Sequence, residues 1–105
     1  MSQHLNSKIF AAHLHATFEV AGPAGDRIPL ELISVTDLDH TPKLEQFSLT
    51  FRGPKTPVLD QRIHQLHHEV LGGLSLFLVP VALDPRGMCY EAAFNLIRGE
   101  ALAAS

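Results

Sequence analysis

Seven histidines in 105 residues are the side chains of this chain best suited to chemistry. His13 and His15 stand two apart, and His64, His67 and His68 form a cluster. Two histidines on one strand face, or four apart on a helix, can chelate zinc through imidazole nitrogens. A histidine can also move protons near neutral pH. The surroundings complete neither pattern. Glu69 is the one acid beside the cluster, and it is not part of a His-Glu-x-x-His motif. The expectation is solvated or core-edge histidines, with no catalytic residue, no bound metal and no cofactor.

The remaining polar residues are also isolated. Arg52 and Glu91 are expected to form a cross-strand pair on an outer face, worth under ~1 kcal/mol if exposed. Cys89 has no base beside it in sequence and reads as a structural thiol. Asn95 reads as a turn or cap residue. Gly72-Gly73 lacks the flanking pattern of a phosphate loop, and there is no Gly-x-Ser-x-Gly elbow.

The elements around these residues are mostly strands. Leu74 to Val81 is the most apolar stretch: Leu74, Leu76 and Leu78 share one face, and Phe77, Val79 and Val81 share the other. Such a strand is expected to be interior and covered on both faces. Thr17–Val20 puts Phe18 and Val20 inward. Ile28–Val35 puts Leu30 and Leu32 on one face and Ile33 and Val35 on the opposite one, followed by a polar loop from Asp37 to Pro42. Gln46–Arg52 alternates cleanly, with Phe47, Leu49 and Phe51 inward. Gln61–His68 fits a strand with His64, Leu66 and His68 on one face, and also a helix with His64, His67 and His68 aligned; the nearby Gly72-Gly73, a plausible tight hairpin, favours the strand. Asp84-Pro85-Arg86-Gly87 is a turn in which Gly87 permits a positive φ. Met88–Asn95 places Met88, Tyr90, Ala92 and Phe94 together. Residues 4–15 suggest a short helix carrying Leu5, Ile9, Phe10, Ala12 and Leu14, capped by Asn6 or Ser7. The Ala-rich tail from Leu96 fits a short helix or a frayed end.

Six short strands joined by Gly/Pro turns imply a mainly β fold, a small antiparallel six-stranded barrel or sandwich with a short N-terminal helix. The length and the 46% hydrophobic content suit one domain over 1–105, with its core at about 8–95 and a tail at 96–105. A net charge of −3, with eight scattered basic residues, argues against nucleic acid and anionic membrane as partners. The longest apolar run is far shorter than the ~20 residues needed to span a bilayer. One cysteine excludes an intrachain disulfide, and residues 1–8 show no leader pattern. A cytoplasmic setting is expected.

Three fragments belong together: Gln46-Phe47-Ser48-Leu49-Thr50-Phe51-Arg52-Gly53-Pro54, Leu76-Phe77-Leu78-Val79-Pro80-Val81 and Tyr90-Glu91-Ala92-Ala93-Phe94-Asn95. With this FSL-x-F-x-GP, LFLVP and YEA-x-FN pattern the chain resembles a family of short bacterial proteins classed as a domain of unknown function. The resemblance spans roughly residues 8 to 95. It implies an association with phage-tail-collar-like genes and carries over no catalytic residues.

Three functions are weighed. The first is a non-catalytic structural or protein-interaction module, acting by self-association into a homo-oligomer or by docking on a protein partner, in an accessory role in a phage-tail-like assembly. The second is a barrel for a small apolar ligand, which large inward residues (Phe47, Phe51, Phe77, Phe94) would fill. The third is a histidine-dependent enzyme. The lack of a converging polar constellation ranks them in that order.

Overall fold

A computed structural model describes residues 7–22, 25–40 and 44–97. Alternation decides where the strands form. In β1 (Thr17–Ala21), Phe18 and Val20 turn inward and are buried between exposed or half-buried neighbours. The same rhythm runs through β2 (Arg27–His40), β3 (Leu44–Gly53), β4 (Arg62–His68), β5 (Gly72–Asp84) and β6 (Gly87–Ile97). Each strand pairs antiparallel with its neighbours, and they close into a barrel in the order β1-β2-β3-β6-β5-β4. Of the two architectures expected, the closed barrel is the one formed, and Gln61–His68 takes its strand reading.

Phe18, Leu30, Leu32, Leu49, Phe51, Leu66, Leu78 and Tyr90 fill the interior. Phe18 meets Phe51 edge-on at 5.3 Å. The Tyr90 hydroxyl accepts the Leu59 N–H at 2.8 Å, which ties the segment between β3 and β4 to the core. Phe77, expected inside, is outside.

Strands β2, β3 and β6 run on past their outer neighbours. The β1 ladder leaves β2 at Glu31, and the β5 ladder leaves β6 at Glu91. The continuing three-stranded sheet is covered by α1 (Ser7–Ala11), which gives way to a turn over 12–15 where the sequence suggests helix as far as residue 15. Phe10 of α1 is fully buried, 6.0 Å from Phe47 and 5.4 Å from Phe94, and those two rings stack at 4.7 Å. Leu5 and Asn6 lie outside the described residues, as does the tail beyond Ile97.

Several local expectations are corrected. Asp37–His40 is strand, not loop, because it pairs with Phe47 back to Glu45. A β-bulge at Ile33 shifts the register, so Val35 sits opposite Leu49 and packs on the core instead of facing away from Leu32. The β4–β5 turn is Glu69–Leu71, with both glycines already in β5; Gly72 closes the loop at φ +79°. Gly87 has no positive φ. It is needed because a Cβ there would strike the Gly53 carbonyl oxygen. Asn95 lies inside β6 opposite Gln46, not at its end.

Candidate functional site

The histidine cluster is divided by the pleat. His64 and His68 turn inward and are buried, whereas His67 turns out, opposite Glu19 of β1. Both buried rings are committed to backbone. His64 Nε2 donates to the Asp60 carbonyl at 2.7 Å, which places its proton on that nitrogen. His68 Nδ1 accepts the N–H groups of Val70 and Leu71 at 3.0 and 3.1 Å. Its ring lies 4.7 Å from Phe18 and 4.6 Å from His13. Burial first, and then His13, lowers the His68 pKa; Glu69 pulls it up and His67 adds a further push down.

The exposed members spread along a groove beside the β1–β4 junction, which His15, Thr17, Glu19, Arg27, His67 and Glu69 line. His15 Nδ1 lies 3.0 Å from Glu31 Oε2, and Arg27 donates to Glu19 at 3.0 Å. Among the described residues, no group of three or more histidine, cysteine or acidic side chains converges as a metal site would require.

Arg52 does not pair with Glu91. The register sets Glu91 opposite Thr50 and Val79, while Arg52 lies 3.6 Å from Glu31 on one side and 3.6 Å from Asp84 on the other. Asp84 organises its turn: Oδ1 accepts from the Arg86 and Gly87 N–H groups at 2.8 and 2.9 Å. The Arg86 bond is the main reason its carboxyl titrates below the usual range, with Cys89, Gly87 and Arg52 adding to it against desolvation. Cys89 is buried and points its thiol at Asp84 Oδ2, 3.4 Å away. Burial first, and then this acid, pushes the thiol pKa up, which opposes the thiolate a nucleophile needs. Ser48 is buried in β3.

The sequence reading missed the outer face of β4 and β5. Leu74, Leu76 and Leu78 are buried as expected, but no described residue covers the other side fully: Phe77 is 49% exposed and Val81 52%. Ile63, 60% exposed, stands directly opposite Phe77 across the ladder; beyond the register shift between Pro80 and Ala82, Leu83 pairs with Met88 and lies on the other face. The signal was present in the two-sided apolarity of residues 74–81; its meaning was an uncovered surface, not a second covering layer.

By architecture this is a six-stranded antiparallel closed barrel with one short helix. The chain belongs to the family described as Domain of unknown function (DUF6916), whose pattern matches residues 5–94. No curated protein and no solved structure matches it. No helix among the described residues is long and apolar enough to cross a membrane.

Proposed function

We propose that this domain is a non-catalytic interaction module that docks through the outer face of β4 and β5, first of all on copies of itself. The observation that carries the reading is the facing pair Ile63–Phe77, continued by Val81, on the outside of a barrel whose interior is already filled. Clustered exposed apolar side chains mark interaction surfaces. About half of each is already covered, so burying the remainder of the three contributes roughly 2–4 kcal/mol. That at most reaches the lower end of the association cost, about 4–15 kcal/mol, so the contact is weak unless backbone pairing joins it. The sheet extension offers such pairing: among the described residues, Ala92–Ile97 ladders with β3 alone. The finer reading, an accessory component of a bacterial phage-tail-like assembly, rests on the family resemblance and supplies a setting where many weak contacts act together.

Sedimentation velocity over a wide concentration range tests this. The parent is expected to gain mass with concentration, and Phe77→Glu to remain monomeric with an unchanged melting temperature. A parent that stays monomeric throughout and ignores phage-tail proteins overturns the reading.

A further inference from the structure

The β1–β4 closure of the barrel is its shortest ladder, with the pairs Glu19↔His67 and Val20↔Leu66. The residue next to that closure, His68, holds two other pieces of chain in place. Its Nδ1 takes the Val70 and Leu71 N–H groups of the β4–β5 turn, and its ring packs against His13 of the turn after α1 and Phe18 of β1. The turn after α1 is itself pinned. His15 adopts a left-handed φ of 72°, and its N–H reaches the Leu32 carbonyl at 2.7 Å.

We propose that His68 is a proton-operated latch: neutral, it holds the β1–β4 seam of the barrel shut, and protonated, it releases it. The chemistry is an acceptor lost. A proton on Nδ1 would point at two N–H groups and take away the acceptor that both share in a half-buried place. The new charge would face His13 from the preceding turn and His67 from its own strand. Glu69 in the β4–β5 turn is the one nearby acid acting on this ring to favour the charge, while Glu19, Arg27 and the His15–Glu31 pair are placed around the same groove. The ring escapes by turning out, which frees residues 69–71 and the turn after α1 and leaves two residue pairs to close the barrel.

The direction follows from linkage. A histidine whose folded pKa is lowered contributes stability that is complete above its unfolded pKa of ~6.5 and is lost as pH falls through that value toward the folded one. Between about pH 7.5 and about pH 5 the seam is expected to open more often by several-fold, up to a ceiling of about 30-fold for one such group.

Amide hydrogen exchange read by NMR, corrected for intrinsic rates, tests it at Val20, Leu66, Val70 and Leu71. The expected result is loss of protection at these four on acidification while β3 and β6 amides hold, with nitrogen shifts showing His68 protonated on Nε2 at neutral pH. His68→Asn, whose side-chain oxygen can accept the same two N–H groups without titrating, is expected to flatten the profile. His67→Gln, which removes the smallest of the influences on this ring, is expected to keep most of the pH response. A proton on Nδ1 at neutral pH, seam protection that does not change with pH, or a full pH response in folded His68→Asn each overturns the latch. If His68→Asn does not fold, the parent's tautomer and exchange profile decide the matter.

Discussion

The two flanks of this barrel are built to different standards. The β3–β6 ladder runs without interruption through ten pairs, from Leu44↔Ile97 to Gly53↔Met88. The β1–β4 ladder has two pairs. The long ladder carries Phe47, Leu49, Phe51, Tyr90 and Ala92 on its inner face, all buried. The short one carries Val20 and Leu66 and is bordered by the histidines and by the Arg27–Glu19 pair. A closed sheet needs every joint, yet its joints need not be equally firm. The firm side specifies the fold, and the short side is where chain can part without global unfolding.

This contrast can be broken from its strong side first. Phe51→Ala, on the long ladder, is expected to cost about 3–5 kcal/mol in urea denaturation, because it empties a ring-sized space against Phe18. The charged substitution Leu78→Asp is expected to abolish folding outright, since an unpaired carboxylate cannot be accommodated at a position with no solvent exposure. Tyr90→Phe should cost about 1–3 kcal/mol by leaving the Leu59 N–H unpaired in the core; thermal denaturation reads it. At the seam, Val20→Ala is expected to cost about 1–2 kcal/mol by the methyl groups removed. Its diagnostic effect is faster exchange at Leu66 with unchanged exchange in β6. The smallest change is expected for Arg27→Ala, under about 1 kcal/mol and vanishing in high salt, because that pair is largely exposed. A seam substitution that accelerates exchange equally in β3 would remove the distinction between the flanks.

What was legible in the sequence follows from which forces are local. Phe18 and Val20, Phe47, Leu49 and Phe51, and Tyr90 and Ala92 announce their inner faces because side chains alternate with period two. His64, Leu66 and His68 were correctly placed on one face for the same reason. The bulge at Ile33 was hidden: an apolar residue sits there, with no glycine or proline to mark the extra step. Asp37–His40 looks like loop by composition and is strand because β3 lies beside it, a non-local cause that propensity cannot carry. Arg52 was expected to pair with Glu91 across strands on the outer face, whereas Glu31 and Asp84 reach it from two other strands. Covering is likewise a property of the whole fold, so the same eight residues showed that β5 was apolar on both faces without showing that Phe77 and Val81 would be left half exposed.

The bulge at Ile33 has a counterpart. Leu32, Phe51, Tyr90 and Pro80 form one row across β2, β3, β6 and β5. The register slips immediately after both end members of that row, at Ile33 and again at Val81. The barrel therefore has two corners at one height, placed like hinges on either side of a stiff central panel, and a bulged strand bends where the extra residue sits. At the level of the gene, Ile33 is a spare step. Losing its codon would leave Leu32, Ser34 and Val35 in plain alternation, with the inner face still apolar. The fold would lose an angle there and no contact row, so the length of β2 records the curvature of the barrel as well as its core.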